Sequence, residues 1–283
     1  CLEGDTKEKH VKTINDMLDA DMKFIRMYQF MMLPGTKSAS VQTRNKYGMK
    51  TKYRVLPRCF GIYNILGDQK AVAEIEEICV SSKSMPYEDY VEMRNFHLTV
   101  EIFNNDSIFF DIVQFLKLNN IKRSKFIEHV HNAVLEDPIL SKLYENLNKE
   151  EKINLSTKNS LIRKTENKNT IIKYINGELG TNELYKYRVL GIFYNLDNLH
   201  KVVFKVAIDL MKSNNSYNEQ KEDYLGELLR FSKLRKDDPL NYKSKKDGKF
   251  TYNFIELLNS NFFDDPQKYK LKNYHNYEFY HNE

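Results

Sequence analysis

The sequence predicts an α/β segment over residues 1–83 followed by a mostly helical domain over residues 84–283, and three observations carry that reading. Residues 5–20 place Val11, Ile14, Met17 and Leu18 at helical spacing, and the apolar run KFIRMYQFMML follows and stops at Pro34 and Gly35. From Pro86 onward the apolar residues keep a helical period, with Asn-, Lys- and Ser-rich connections between the runs. A glycine turn, LEGDT, stands just before the first helix, so the chain joins the alternation of strand and helix at a turn, and a strand is expected ahead of it.

Each element follows from local chemistry. Asp5 or Thr6 suits the N-cap of the first helix, with Glu8 placed for a capping box. KFIRMYQFMML has the continuous apolar character of a strand buried on both faces, as in a parallel sheet covered by helices. KTKYRVLP alternates well enough for a strand that Pro57 ends, and IEEICVSS is a second strand, although AVAEIEEI also fits a helix. Ser84 caps the long amphipathic run YEDYVEMRNFHLTVEIF. Further helices are expected at about 107–119, 123–135, 138–148, 183–194, 196–213 and 219–236. The Asn and Lys enrichment at 146–176 reads as compositional bias, and the two YRVL copies, one extended and one helical, are not a repeat. GKFTYNFIELL after KKDG suggests a short strand within 249–258 or an extended arm, and the aromatics of YKLKNYHNYEFYHNE are expected to pack back onto the domain, with stacking on a partner the alternative.

Composition narrows the function classes. With 283 residues, 41% hydrophobic and 29% charged, the chain can bury a sizeable core. No apolar run is long enough to span a bilayer, and the N-terminus lacks a signal-peptide pattern, which predicts a cytoplasmic protein without a membrane span. The balance of 44 Lys+Arg against 39 Asp+Glu gives +5, spread along the chain, too weak for a nucleic-acid partner. Cys1, Cys59 and Cys79 are widely spaced and make no CxxC or CxxxCxxC signature, which fits a reducing compartment and no cysteine-ligated metal site. His129 and His131 lack a joining carboxylate or cysteine and read as a solvated helix face.

Three stretches have the makings of a site. LEGDT, with Glu3, Gly4 and Asp5, turns into a helix N-terminus whose backbone N–H groups can hold an anion, or is an ordinary turn capped by Asp5. MMLPGT, with Leu33, Pro34, Gly35 and Thr36, lies at the C-terminal end of the expected strand, where parallel α/β folds bind ligands, or simply terminates that strand. YRVLPRCFG carries Arg54 and Arg58, whose planar forks suit carboxylates or phosphates, or else pair with the acidic stretch Glu74–Glu77. Cys59 is expected to fill space. No Ser/His/Asp order, Walker loop or paired-carboxylate motif supports a hydrolase or a kinase.

In order, LEGDTKEKHVKTINDMLDADMKFIRMYQFMMLPGT, RNKYGMKTKYRVLPRCFGIY and EIEEICVSSKSMPYEDYVEMRNFHLTVEIF resemble the C-terminal part of cobalamin-binding-domain radical S-adenosylmethionine (radical SAM) proteins, strongest over residues 1 to about 105. The resemblance implies the C-terminal portion of a partial (β/α) TIM-type barrel over 1–83, entered near the end of its fifth strand, with a helical domain over 84–283. It implies a parent enzyme in which a 4Fe-4S cluster, ligated by a CxxxCxxC loop, cleaves S-adenosylmethionine to a 5′-deoxyadenosyl radical, with cobalamin as a further cofactor. A small-molecule substrate, from cell-surface polysaccharide or secondary metabolism, and a reductant are the implied partners. Neither the loop nor the cobalamin domain is in this chain, so it is expected to be inactive alone. Glu3, Gly4, Asp5 and Leu33–Thr36 would then be cofactor-binding at the barrel mouth, and Arg54 and Arg58 substrate-facing, the latter without a matching family motif. The family's turn reads LPGD or LPGE, and here Glu3 replaces its proline. The competing expectation is a helical binding or scaffold protein whose N-terminal α/β unit is structural only.

Overall fold

The structure, a computed structural model, describes residues 3–237, 241 and 243–280. Cys1, Leu2 of the LEGDT turn, and the last three residues of the tyrosine-rich tail lie outside the described residues. In chain order, α1 (Lys7–Asp19) and α2 (Val41–Tyr47) precede a hairpin of β1 (Lys50–Ile65) and β2 (Asp68–Ser81). Among the described residues nine α-helices follow: α3 (Tyr87–Phe103), α4 (Phe110–Leu118), α5 (Arg123–Glu136), α6 (Leu140–Asn154), α7 (Lys158–Thr165), α8 (Lys168–Ile175), α9 (Glu183–Tyr194), α10 (Leu196–Ser213) and α11 (Glu219–Lys236). The chain then forms β3 (Lys245–Tyr252), α12 (Phe254–Asn259) and β4 (Lys270–Tyr280).

Contacts divide it into two units, one of Cys1–Thr13, Arg26–Leu98 and Tyr144–Tyr187, the other of Ile14–Ile25, Thr99–Leu143 and Arg188–Glu283. Among the described residues the strands make two antiparallel pairs, β1 with β2 and β3 with β4, and no closed barrel. No helix of the described residues is long and apolar enough to cross a membrane.

The first unit is organised by its hairpin. Leu66 and Gly67 take positive φ angles of 53° and 89° at the two-residue tip, the conformation that matches the twist of an antiparallel pair. β1 does not stop at Pro57: the register shifts between Val55 and Phe60, and the bulge takes up a residue that cannot donate to the ladder. AVAEIEEI is strand, part of β2, because each of its residues faces a β1 partner or the bulge. Helices α7 and α8 cover one hairpin face, where Val55 clusters with Leu161, Ile171 and Tyr174. These helices arise within the Asn- and Lys-rich stretch read above as compositional bias. Thr157 and Asn167 cap them, and Leu161, Ile171 and Tyr174 supply their apolar faces.

The run KFIRMYQFMML is the main local correction. It is extended but not a strand buried on both faces, bridging β2 only at Met31 and Ile78, with Met32 N–H donating to the Glu77 carbonyl at 2.8 Å. Phe24 is 50%, Tyr28 80% and Leu33 53% exposed, while Ile25 and Met32 are buried. An apolar run records a demand for burial; whether a neighbouring strand meets it is a tertiary matter.

In the second unit α10 buries Val203, Phe204, Ala207 and Leu210, and α5 buries Phe126, Ile127, Val130 and Val134. An aromatic stack closes the far end of the chain: Phe231 lies 4.3 Å from Phe254 with rings 11° apart, and Phe250 and Phe279 pack edge-on to Phe231. The expected return of the tail is seen at Tyr277, which is buried, whereas Tyr274 and Tyr280 are exposed.

Candidate functional site

Two of the three nominated stretches meet in the first unit. Gly4 and Gly35 both adopt positive φ, 72° and 83°, where a side chain would be strained. Ser38, just past the second turn, donates its hydroxyl to a Glu3 carboxylate oxygen at 2.5 Å. The space beside Gly35 is open, since an added Cβ would meet nothing within 4 Å. The Thr36 hydroxyl closes its own turn by donating to the Leu33 carbonyl at 2.7 Å. Thr6, not Asp5, caps α1, accepting from Lys9 N–H at 3.3 Å. Glu8 is therefore one position short of the capping box, with Lys9 in its place.

Asp5 is left to face His10, with Oδ2 3.4 Å from Nδ1. His10 Nε2 is in turn 2.7 Å from Nε2 of His97 on α3. One ring must donate and the other accept. His97 Nδ1 is buried without a hydrogen-bond partner, and an unpaired lone pair costs less there than an unpaired N–H, so His97 donates through Nε2 and His10 donates through Nδ1 to Asp5. Burial holds the His97 imidazole well below its ordinary pKa, with Arg94 adding to the effect. Burial lowers that of His10 too, against the opposing pull of Asp5. The row Asp5–His10–His97 joins the glycine turn to the buried interior of the unit. His10 and His97 are 87 residues apart in the chain, and no local pattern joins them.

The third stretch separates its two arginines. Arg54 is half-buried and bound to Glu76 at 2.5 Å and Glu183 at 3.4 Å, the ion-pair alternative weighed above. Arg58 sits exposed at φ 67° in the β1 bulge and makes no ion pair or side-chain hydrogen bond among the described residues. A further arginine, Arg44 on α2, holds Glu77 with two bonds of 2.6 and 2.9 Å beside the end of the extended run. Those bonds, with one from Thr51 at 2.5 Å, draw the Glu77 carboxyl down to about 2, against the opposing effect of burial. Cys59 is half-buried in the bulge and Cys79 is buried with its thiol toward the Ser81 carbonyl. Among the described residues no group of three His, Cys, Asp or Glu side chains is arranged to hold a metal ion.

In the second unit His129 is exposed, as expected, whereas His131 bonds the Thr99 hydroxyl at 2.8 Å. His200, Ser232, Lys236 and Asp111 form a polar chain with Ser232 fully buried. No protein-family model matches this chain, and no curated protein matches it in sequence.

Proposed function

We propose that this chain is the C-terminal part of a cytoplasmic radical S-adenosylmethionine enzyme of the cobalamin-binding kind, acting on a small-molecule substrate. The observation that carries the reading is the meeting of the two glycine turns through Glu3 and Ser38, with open space beside Gly35. The exposed Phe24, Tyr28 and Leu33 of the adjoining extended run support it, because they are apolar side chains that the packed layers of a larger barrel would cover.

The residues present do not fit the iron cluster. Three thiolates must converge on it, whereas Cys59 lies in the β1 bulge and Cys79 opposite Thr51 at the other end of the hairpin ladder. In this reading the cluster and cobalamin belong to sequence outside these 283 residues, and no step is routed through either. What this chain contributes is one wall of a pocket. Asp5 and the backbone at Gly4 and Gly35 offer hydrogen bonds to an ammonium and carboxylate. Arg58 remains available to an anionic substrate, and Arg54, tied to Glu76 and Glu183, fixes the strand beneath it.

The test is anaerobic expression of the chain with its upstream coding sequence. The expected result is a CxxxCxxC motif upstream, iron–sulfur absorbance, and 5′-deoxyadenosine released from S-adenosylmethionine under reduction. An extended protein with no such motif and no iron absorbance overturns the reading and leaves the helical binding module, which the covering of Val55 by α7 and α8 within the chain favours.

A further inference from the structure

Where β1 begins, the first unit holds a cavity of about 550 Å³ that plays no part in the glycine turns. Its apolar lining comes from Val80, Pro86, Tyr87 and Leu155, and Val80, Tyr87 and Leu155 belong to one cluster with the buried Ile78 and Tyr90. Three lysines stand around it: Lys50 and Lys52 from the first residues of β1, and Lys152 from α6. All three are exposed, and none makes an ion pair or side-chain hydrogen bond among the described residues. Glu88 is the acidic residue of the lining. Helix α3 starts at Tyr87, so the positive end of its dipole adds to the lysines.

Cations without partners around an apolar floor are an arrangement a fold does not need for its own stability. The larger groove of the second unit shows the contrast. There Lys233 is paired with Asp197 at 2.8 Å, Lys246 with Asp237, and Arg230 with the Lys249 carbonyl at 2.7 Å, and of the lining cations Lys201 alone has no such partner among the described residues. We infer that the cavity bounded by Lys50, Lys52, Lys152, Tyr87 and Leu155 binds a small amphipathic anion, an aromatic or alkyl body carrying a terminal phosphate or carboxylate. The volume lies within the roughly 300–1,000 Å³ range of small-molecule sites. Lysine ammonium groups act as point charges that attract either anion without demanding a bidentate geometry.

Calorimetric titration of the full chain with 1-naphthyl phosphate, 1-naphthoate, 1-naphthol and inorganic phosphate tests this. Naphthyl phosphate is expected to bind at least about tenfold more tightly than naphthol or inorganic phosphate, because only it uses both floor and rim. Each of K50Q, K52Q and K152Q should weaken it by about two- to fivefold, the ordinary effect of one exposed charge. The triple variant should bind it no better than naphthol, while K201Q, in the groove of the second unit, changes nothing. Naphthoate binding as tightly as the phosphate upholds the inference and shows that charge is what is read; weaker naphthoate binding upholds it and selects phosphate. Equal affinity for naphthol, no binding of naphthyl phosphate at millimolar concentration, or a triple variant that binds like the parent overturns it. The lysines are exposed, so thermal unfolding should be unchanged in every variant, and if the triple variant unfolds, K152Q alone decides.

Discussion

Glu77 shows how one residue joins several elements. Its carboxylate takes two bonds from Arg44 and one from Thr51, and its backbone carbonyl takes the Met32 N–H, so α2, β1, β2 and the extended run all meet there. E77Q is expected to cost about 1.5–3 kcal/mol in urea unfolding, the worth of hydrogen bonds to a charged group. The pH dependence has a definite sign. The folded carboxyl is held at about 2, below its value in the unfolded chain, so its contribution is complete above the ordinary glutamate range and is lost as pH falls toward 2. E77Q should flatten that acid limb, and stability curves for the two proteins that stay parallel below pH 4.5 would count against the pairing. Nothing in the local sequence marks Glu77 above Glu74 or Glu76. Arg44 lies 33 residues away and was not among the arginines singled out.

Among elements, α3 and α6 are joined by the buried pair of Arg94 and Glu151, with Nη2 and Oε1 2.5 Å apart. Desolvation is costly for both ions, so removing one partner harms more than removing both. R94M is expected to lose about 3–5 kcal/mol by denaturant unfolding, and R94M/E151L to regain most of it. A double variant as unstable as the single one would show that the guanidinium matters through packing alone. Helix α3 was legible because Pro86 and a long unbroken run mark it, although Ser84, expected as its cap, donates instead to the Asp5 carbonyl at 2.6 Å and the helix starts at Tyr87; α9, α10 and α11 fall at the expected residues because their apolar runs are likewise unbroken. The hairpin was only half legible. Leu-Gly is not the Asn-Gly pair that announces a tight turn, and Pro57 reads as a terminator unless a bulge is present to receive it.

For the whole molecule, acid sensitivity is written into both units. Burial depresses His10 and His97 in one, and His200 in the other, the last to about 4. Unfolded imidazoles take up protons near pH 6.5, so stability is complete above that value and declines as pH falls toward the folded pKa values. The midpoint of urea unfolding should therefore fall between pH 7 and pH 5, and H97L or H200F should each reduce that slope; a midpoint constant over the interval would contradict the neutral, buried state of these rings. Periodicity, caps and glycine or proline punctuation were enough to place most helices and the two glycine turns, because those signals lie within a few residues of one another. The pairing of β1 with β2 through a bulge, the commitment of Arg54 to Glu76 and Glu183, the Asp5–His10–His97 row and the unpaired lysines around their apolar floor could not be read that way. Each depends on groups distant in the chain, and whether a charge is paired, a ring is dry or an apolar run finds a neighbour is set by what folding brings beside it.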